Sequence, residues 1–301
     1  MDDPLVEVSI VLAAYNEECS LPKELDIIRD VMDNAKLAYE IIVVDDASTD
    51  GTPRILKDAE GIRLITHRRN IGSGGARKTG TLAAKGKIIV WSDVDLSYPN
   101  HRIPQLVEQL KNGGFRQIVG SRSEEKGSLR FLRSPAKYLL KRLASFLVKT
   151  NIPDLNSGFR AFYRLDGLKF IYMLPNGFSC VSTMTLAFLC NGFDVGYMPI
   201  EYRRRVGKSK FHPIKDSYNY LLQIMRMVTY FEPLRVFMPM AIIVFSFTLV
   251  KNIIDLVFTK NTQETDIVGY FMAFVIFAVG LLADLIVMQN KRFLLFPDEK
   301  K

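Results

Sequence analysis

Two acidic side chains, Asp93 and Asp95, stand one residue apart where an apolar segment, residues 87–93 (KIIVWSD), ends. Two carboxylates at positions i and i+2 in the turn after a strand can converge on one hard cation. Mg²⁺ and Mn²⁺ accept a few carboxylates and keep coordination sites for phosphate oxygens, and such a cation neutralises a diphosphate leaving group. The pair therefore indicates metal-assisted chemistry on a phosphorylated ligand. Alone it is a weak signal, because a solvated turn gives the same pattern.

A second apolar segment, residues 40–46 (EIIVVDD), also closes with acids, Asp45 and Asp46. Three more short apolar segments alternate with helical stretches, at residues 7–14, 63–66 and 117–121. Wholly apolar strands separated by helices predict a mainly parallel sheet that is covered on both faces. Ligands bind such sheets beyond the carboxyl ends of the strands, which is where the acids fall. The sequence therefore predicts a Rossmann-like α/β domain with a ligand site at its acidic strand ends.

Two long apolar segments lie near the end of the chain, at residues 234–258 and 267–288. Each is long enough to cross about 30 Å of hydrocarbon, and the connector between them is short, so we predict a transmembrane hairpin. Lys251 and Asp284 fall near the two interfaces, where Lys251 is expected to snorkel. The alternative is a pair of buried core helices in a soluble domain. Ahead of the hairpin, residues 212–231 are predicted to form an amphipathic helix at the membrane interface.

The formal net charge of +8 is concentrated in two basic stretches. Residues 126–150 carry +7 and residues 201–215 carry +5, whereas the rest of the chain sums to −4. The first stretch is expected to include an amphipathic basic helix at 135–149. Basic patches suit an anionic partner, which can be nucleic acid, a membrane surface or phosphate groups, and composition alone does not choose among them. The three cysteines are widely spaced, are odd in number and include no CxxC pair, which argues against a disulfide framework and against a zinc site.

Six further segments occur in an order and spacing that suit one domain: 8–18 (VSIVLAAYNEE), 40–52 (EIIVVDDASTDGT), 70–80 (NIGSGGARKTG), 118–122 (IVGSR), 154–162 (DLNSGFRAF) and 205–210 (RVGKSK). With Asp93-Val94-Asp95 they resemble the family 2 glycosyltransferases of the GT-A fold. Within that family the sequence is similar to the polyprenyl-phosphate hexosyltransferases, which include dolichyl-phosphate mannose and dolichyl-phosphate glucose synthases. The resemblance covers roughly residues 6–232, and the two-helix anchor fits one branch of the family.

The resemblance implies a division of the chain into three parts. A GT-A catalytic domain is expected at residues 1–211, an interfacial amphipathic helix at 212–232, and a transmembrane hairpin with a short cytoplasmic tail at 233–301. Because basic segments favour the cytoplasmic side of a membrane, the catalytic domain and both termini are expected in the cytoplasm.

The resemblance also implies roles for individual residues. The first-strand segment would hold the nucleotide base and ribose, the second-strand end would read the base, and a basic loop would close over the diphosphate. The implied nucleotide-sugar-binding residues are Ala13, Tyr15, Glu17, Val44, Asp46, Asp93, Val94, Asp95, Arg205 and Lys210. The residues implied near the acceptor phosphate are Arg122, Arg133, Lys137 and Ser157. The implied catalytic residues are Asp93, Asp95, Arg122 and Arg205, and the two aspartates would hold Mg²⁺ or Mn²⁺, with Asp95 as the direct ligand.

The sequence departs from the family pattern at two positions. The mannose synthases often carry Gln two residues after the DxD motif, where this chain has Ser97, and the Pro that usually precedes the xYNE segment is Ala13. Ser97 can still reach a metal through a water. The departures weaken a specific mannose assignment and leave the donor open between GDP-mannose, UDP-glucose and UDP-N-acetylglucosamine.

The acceptor determines the expected mechanism. A polyprenyl monophosphate is anionic near neutral pH, so its oxygen can attack C1 of the sugar without the general base that a hydroxyl acceptor needs. Bringing two anions together instead requires a metal and Arg/Lys clamps. We therefore predict inverting transfer of a hexose from a nucleotide sugar to dolichyl or undecaprenyl phosphate at the cytoplasmic membrane face. The β-linked product would serve glycan assembly, and the anchor leaves room for a homo-oligomer.

Other functional classes fit the sequence less well. A processive polysaccharide synthase, which would use a saccharide acceptor, carries a QxxRW motif, whereas the only tryptophan here is Trp91 within a strand. A catalytically silent, membrane-anchored binding protein would not need the intact DxD and RxGxSK motifs. A nucleic-acid binder would explain the charge but neither the apolar hairpin nor the strand-end acids, so nucleic acid is not an expected partner.

Overall fold

The structure is a computed structural model of the chain. It describes residues 6–122, 152–177, 179–203 and 232–295, together with residues 222, 225, 229 and 230. Two compact units are present, Met1–Gln223 and Ile224–Lys301. The predicted basic helix at 135–149, most of the predicted interfacial helix at 212–231 and the basic loop at 205–210 lie outside the described residues.

The first unit contains a seven-stranded sheet in the order β3-β2-β1-β4-β6-β5-β7. Its strands are β1 (Val8–Ala14), β2 (Tyr39–Asp45), β3 (Ile62–Thr66), β4 (Ile88–Asp93), β5 (Gln117–Arg122), β6 (Arg160–Tyr163) and β7 (Val195–Ile200). Strand β6 runs antiparallel to both of its neighbours, and the other pairings are parallel. The five predicted strands are confirmed with small shifts at their ends, and β6 and β7 are additional.

Helices cover both faces of the sheet, as the apolar strands predict. They are α1 (Leu21–Asn34), α2 (Thr52–Asp58), α3 (Ser73–Ala83), α4 (Ile103–Asn112), α5 (Arg164–Phe170) and α6 (Cys180–Cys190). Helix α1 buries Leu21, Leu25, Ile28 and Met32, whose spacing of three to four residues places them on one helical face. This face packs with α4 against one side of the sheet. An aromatic cluster around Trp91, Phe162 and Phe188 fills the other side.

The register of the central strands brings the predicted site together. Ala13 of β1 lies beside Val44 of β2 on one side and beside Asp93 of β4 on the other. The carboxyl ends of these three parallel strands therefore lie at the same edge of the sheet. The acids that end β2 and β4 thus flank the end of β1 at one edge of the sheet, although they are far apart in sequence.

The second unit contains two long helices, α7 (Leu234–Thr259) and α8 (Glu264–Leu295). Their segments Leu234–Phe258 and Glu264–Gln289 have mean hydropathies of 2.0 and 2.6, and only 11% of each is buried within the protein. Both are long and apolar enough to cross a membrane, and their exposed apolar sides do not suit buried core helices. The predicted hairpin is confirmed, with α8 starting three residues earlier than predicted and continuing beyond residue 288.

Small residues and one ion cluster hold the hairpin together. Gly269 packs directly on the side chain of Thr248, and Gly280 packs on Phe237, because small residues let two membrane helices approach closely. Near the connecting turn, Lys251 Nζ lies 2.6 Å from Asp255 Oδ2 and 2.7 Å from Asp266 Oδ1. Two carboxylates, one of them on the partner helix, neutralise Lys251, and its expected snorkelling stays a prediction.

Candidate active site

Asp93, the last residue of β4, is held by an arginine from α3. The Arg77 guanidinium donates a hydrogen bond through Nη2 to Asp93 Oδ1, and Arg77 itself is buried beneath the edge of the sheet. Gly158 packs against the pair, since a Cβ at that position would lie 2.9 Å from Arg77 Nη2 and 3.2 Å from Asp93 Oδ2. The ion pair fixes the first carboxylate of the DxD motif, and residue 158 must be small for it to form.

Asp95 is oriented by Ser97 through a tight turn. Asp95 Oδ1 accepts a hydrogen bond from the Ser97 backbone N–H at 3.1 Å and another from the Ser97 hydroxyl. Leu96 between them has a φ of +60°, in the left-handed region that only a few non-glycine residues adopt. The turn brings the two side chains together, and both are buried. Ser97, at the position where the sequence departs from the mannose synthases, therefore supports the second carboxylate of the motif.

The two DxD carboxylates suit a metal that is shared with a phosphorylated ligand. In the part of the chain that the structure describes, no group of three or more His, Cys, Asp or Glu side chains could hold a metal ion. Mg²⁺ is commonly held by one or two carboxylates together with substrate phosphate oxygens and water. Asp93 and Asp95 supply that kind of oxygen donor set, whereas the apolar side chain of Val94 lies in the core.

A third acid, Glu24 of α1, lies beneath the DxD turn. Asn100 Nδ2 donates to Glu24 Oε2 at 2.7 Å and to the carbonyl of Asp93 at 3.3 Å, and Ser92 Oγ donates to Asn100 Oδ1 at 2.5 Å. Burial, together with the charges of Asp95 and Asp93, raises the pKa of Glu24 to about 7. Sequence reasoning missed Glu24, because an acid in the first turn of a helix is ordinarily an exposed residue that favours the helix dipole.

Replacing Glu24 with glutamine is expected to change how stability depends on pH. Between the ordinary pKa of 4.5 and about 7, the unfolded carboxyl loses its proton while the folded one keeps it. The free energy of unfolding of the wild type therefore falls as pH rises through this window, by up to about 3 kcal/mol. Glu24→Gln lacks this loss, so its stability relative to the wild type should increase from pH 4.5 to pH 7.5 in thermal unfolding measurements.

The matched control for Glu24→Gln is Asp26→Asn, which removes an exposed carboxyl from the same helix. That variant should follow the pH dependence of the wild type. A Glu24→Gln variant with the wild-type pH dependence would show that Glu24 does not stay protonated in the folded protein.

The loop after β1 is tied to the loop after β2. The Asn16 N–H donates to Ser48 Oγ at 3.0 Å, the Thr49 N–H donates to Asn16 Oδ1 at 2.7 Å, and the Glu17 N–H donates to Thr52 Oγ1 at 2.8 Å. These bonds fix the backbone immediately after Tyr15, at the edge of the sheet. Tyr15 and Glu17, two of the residues implied to bind the nucleotide, are thus placed beside the end of β2.

Asp46 has structural partners of its own. Its carboxylate accepts hydrogen bonds from the Ile71 N–H at 3.0 Å and the Gly72 N–H at 2.7 Å, and it lies 2.7 Å from His67 Nδ1. Asp46 is also almost completely buried, as is Val44. Asp46 therefore holds the loop that leads into α3, and the prediction that Val44 and Asp46 read the base stays a prediction.

Arg122, the last residue of β5, forms a two-pronged ion pair. Its Nε donates to Asp154 Oδ2 at 2.7 Å and its Nη2 donates to Asp154 Oδ1 at 3.0 Å. The Arg122 guanidinium carbon also lies 5.2 Å from the centre of the Tyr202 ring. Burial acts to raise the pKa of Asp154, but the hydrogen bonds and charge of Arg122 outweigh it and hold that pKa below its usual range. Asp154 was not predicted as a site residue.

Ser157 lies in the same segment as Asp154, fully buried, with no hydrogen-bond partner for its hydroxyl. Its carbonyl accepts from the guanidinium of Arg160, which also donates to the Val181 carbonyl at 2.6 Å and to Thr185 Oγ1 at 3.0 Å. Burial, aided by the charge of Arg77, lowers the pKa of Arg160 to about 10. The segment is therefore built around a buried cation behind the DxD strand.

The described members of the predicted site other than Ser157 lie at or just after the carboxyl ends of β1, β2, β4 and β5. Ser157 lies just before β6, which runs antiparallel to β4 and so begins at the same edge of the sheet. The remaining four, Arg133, Lys137, Arg205 and Lys210, lie outside the described residues. Arg77, Glu24 and Asp154 are additions that the structure makes to the predicted set.

The sheet topology and the acidic strand ends define a GT-A glycosyltransferase fold. Glucosyl-3-phosphoglycerate synthase from Mycobacterium tuberculosis, solved with Mn²⁺, UDP and phosphoglyceric acid, matches 74% of this chain and 78% of its own with a TM-score of 0.59. Its sequence identity to this chain is 23%, so the likeness concerns the fold alone.

This chain belongs to glycosyl transferase family 2, which matches residues 9–167. Residues 232–288 match a second family, described as the GtrB C-terminal hairpin. Together the two matches account for the catalytic fold and for the apolar hairpin.

Three relatives are named for the sugar transfer that they catalyse. A dolichyl-phosphate hexose transferase from Haloferax volcanii is 30% identical over 69% of this chain and 87% of its own length. An undecaprenyl-phosphate 4-deoxy-4-formamido-L-arabinose transferase from Aeromonas hydrophila is 31% identical over 57% of this chain and 56% of its own. A dolichyl-phosphate beta-glucosyltransferase from Dictyostelium discoideum is 29% identical over 53% and 54%. The chain thus spans little more than half the length of the last two.

Proposed function

We propose that the protein transfers a hexose from a nucleotide sugar to a polyprenyl phosphate. One observation carries the proposal: the same chain contains both a donor-type site and a membrane anchor. The DxD carboxylates lie at the edge where β1, β2 and β4 end, and two helices are long and apolar enough to cross a membrane. The first feature suits a water-soluble donor and the second suits a lipid acceptor. The named activities of the three relatives support the same pairing of substrates.

The donor is assigned to the edge where β1, β2 and β4 end. Tyr15 and Glu17 are proposed to border the nucleotide, and Asp93 and Asp95 to hold Mg²⁺ or Mn²⁺. When bound, the metal would neutralise the diphosphate that leaves with the nucleotide. A structure of the same fold was solved with Mn²⁺ and UDP, so UDP-linked sugars are the first donors to test and GDP-mannose is the second.

The acceptor phosphate is assigned to Arg122. A guanidinium suits a phosphate because its planar array of donors can bind two oxygens at once. Asp154 accepts hydrogen bonds on the Nε side of Arg122. It therefore orients the guanidinium, and the Asp154 carboxylate stays paired with a cation. A phosphate oxygen is already a nucleophile near neutral pH, and we therefore propose direct in-line attack on C1 with inversion, giving a β-linked product.

The membrane arrangement forms part of the proposal. The α7–α8 hairpin would anchor the chain beside its lipid substrate, and the basic stretches at 126–150 and 201–215 would face anionic headgroups. By the positive-inside rule, the catalytic unit and both termini are placed on the cytoplasmic side.

The proposal is tested by supplying the purified full chain, in liposomes, with radiolabelled nucleotide sugars. The donors are GDP-mannose, UDP-glucose and UDP-N-acetylglucosamine, each with Mn²⁺ or Mg²⁺, and the acceptors are undecaprenyl phosphate and dolichyl phosphate. Label should enter the organic phase with at least one donor, and EDTA should stop the transfer. Unphosphorylated polyprenol and 3-phosphoglycerate serve as control acceptors. Absence of labelled lipid with every donor, or transfer to 3-phosphoglycerate alone, would count against a polyprenyl-phosphate acceptor.

A further inference from the structure

Resting on the proposed function, we infer that Tyr202 is a positioning residue that ties the acceptor arginine, Arg122, to the donor-site aspartate, Asp95. Tyr202 follows the end of β7 by two residues. It belongs to neither the DxD motif nor the RxGxSK motif. Its side chain is half-buried and packs against the main core of the first unit.

The aromatic ring of Tyr202 supports Arg122. The guanidinium carbon of Arg122 lies 5.2 Å from the ring centre, within the range of a cation–π contact. The ring also meets Tyr98 edge-on, with centres 5.3 Å apart. Tyr202 and Asp154 therefore constrain Arg122 in different ways, one by its ring and the other by its carboxylate.

The hydroxyl and the neighbouring backbone of Tyr202 reach the DxD turn. The Ser97 carbonyl accepts a hydrogen bond from the Arg203 N–H at 3.0 Å, which holds the segment of Tyr202 against the DxD turn. The Tyr202 hydroxyl interacts electrostatically with the Ser97 side chain. Ser97 in turn donates its own hydroxyl to Asp95, so Ser97 lies between Tyr202 and the carboxylate assigned to the metal.

The two contacts give Tyr202 two separable effects. Loss of the hydroxyl should loosen Ser97 and Asp95, and so weaken binding of the metal and nucleotide. Loss of the ring should also release Arg122, and so weaken use of the acceptor phosphate. A residue that only filled space in the core would affect both substrates together, in proportion to the loss of folding stability.

The test compares Tyr202→Phe with Tyr202→Leu in the full chain. Mn²⁺ binding in the presence of UDP or GDP is followed by electron paramagnetic resonance, which needs no acceptor and no turnover. Tyr202→Phe should weaken Mn²⁺ binding by about fivefold with an unchanged KM for polyprenyl phosphate. Tyr202→Leu should add an increase of about tenfold in that KM. Ser97→Ala should reproduce the Mn²⁺ result of Tyr202→Phe, and it keeps the inference testable if the leucine variant fails to fold.

Tyr39→Phe is the matched control, because it removes a tyrosine hydroxyl that bonds Asp33 at 2.9 Å at the start of β2. It should leave Mn²⁺ binding and the acceptor KM unchanged. The inference would be overturned if Tyr202→Phe bound Mn²⁺ as tightly as the wild type does. It would also be overturned if the Mn²⁺ affinity and the acceptor KM changed equally and in proportion to the melting temperature. If the wild type binds Mn²⁺ and UDP but does not use a polyprenyl phosphate, the acceptor of the proposed function fails, while the link from Tyr202 to Asp95 is still decided by the resonance measurement.

Discussion

Replacing Asp95 with alanine is expected to reduce sugar transfer by at least about 10³-fold, the usual order of effect when a group that stabilises the transition-state charge is lost. Asp95 is buried, and Ser97 fixes the direction of its carboxylate with two hydrogen bonds. Such orientation by neighbouring groups is typical of metal ligands. The loss should appear in kcat at saturating donor, and Mn²⁺ binding should weaken in parallel.

Asp95 gives a cleaner test than Asp93. Removing the Asp93 carboxylate would leave the buried Arg77 guanidinium without its ion-pair partner, and an uncompensated buried charge destabilises the fold. A loss of activity in Asp93→Ala would therefore mix chemistry with folding. Among the described residues the side-chain partner of Asp95 is the neutral Ser97, so the melting temperature of Asp95→Ala is expected to stay closer to that of the wild type.

The control for Asp95→Ala is Asp58→Ala, which removes an exposed carboxylate at the end of α2. It should retain wild-type transfer. If Asp95→Ala kept more than a tenth of wild-type activity and bound Mn²⁺ as the wild type does, Asp95 would not be a metal ligand.

Much of the fold follows from patterns that a single segment displays. Five strands were predictable because each is a short, mainly apolar run with an acid or turn after it, as in EIIVVDD. Strand β6 was missed because it is only four residues long and begins with the buried Arg160, and β7 because Gly196 and Pro199 interrupt its apolar pattern. These strands form through pairing with distant neighbours, which local pattern does not display.

The site shows the same division between local and distant information. Asp93 and Asp95 were predictable because their spacing is local. Arg77, Glu24 and Asp154 were not, because each acquires its role from a partner that is 16 to 76 residues away in sequence. Lys251 in the hairpin is a similar case, since its carboxylate on α8 becomes a neighbour only when the two helices pack.

Replacing Arg122 with methionine is expected to raise the KM for polyprenyl phosphate by about 100-fold, because a charge-assisted contact to phosphate is lost. The donor KM should change little, since Arg122 ends β5 rather than one of the three strands assigned to the donor. Arg63→Met, which removes an exposed arginine on β3 that donates to the Ala83 carbonyl at 2.7 Å, is the control and should leave both constants unchanged.

The same substitution should also reveal the ion pair in the folded protein. Arg122→Met leaves the largely buried Asp154 carboxylate without its cation, which should cost about 3 kcal/mol of unfolding free energy at pH 7. The wild-type pair holds the pKa of Asp154 low, so its contribution to stability is present at neutral pH and is lost as pH falls through that lowered pKa. The destabilisation of Arg122→Met should therefore shrink on acidification, when Asp154 is protonated and no buried charge remains.

The double variant Arg122→Met/Asp154→Asn separates the two roles of this pair. Because the unpaired carboxylate is gone, the double variant should recover much of the stability at pH 7. Because Asp154 acts on the substrate only through Arg122, the acceptor KM should stay as high as in Arg122→Met alone. A double variant that recovers both stability and acceptor use would place the acceptor phosphate elsewhere; one that recovers neither would show that Asp154 has a function of its own beyond aiming Arg122.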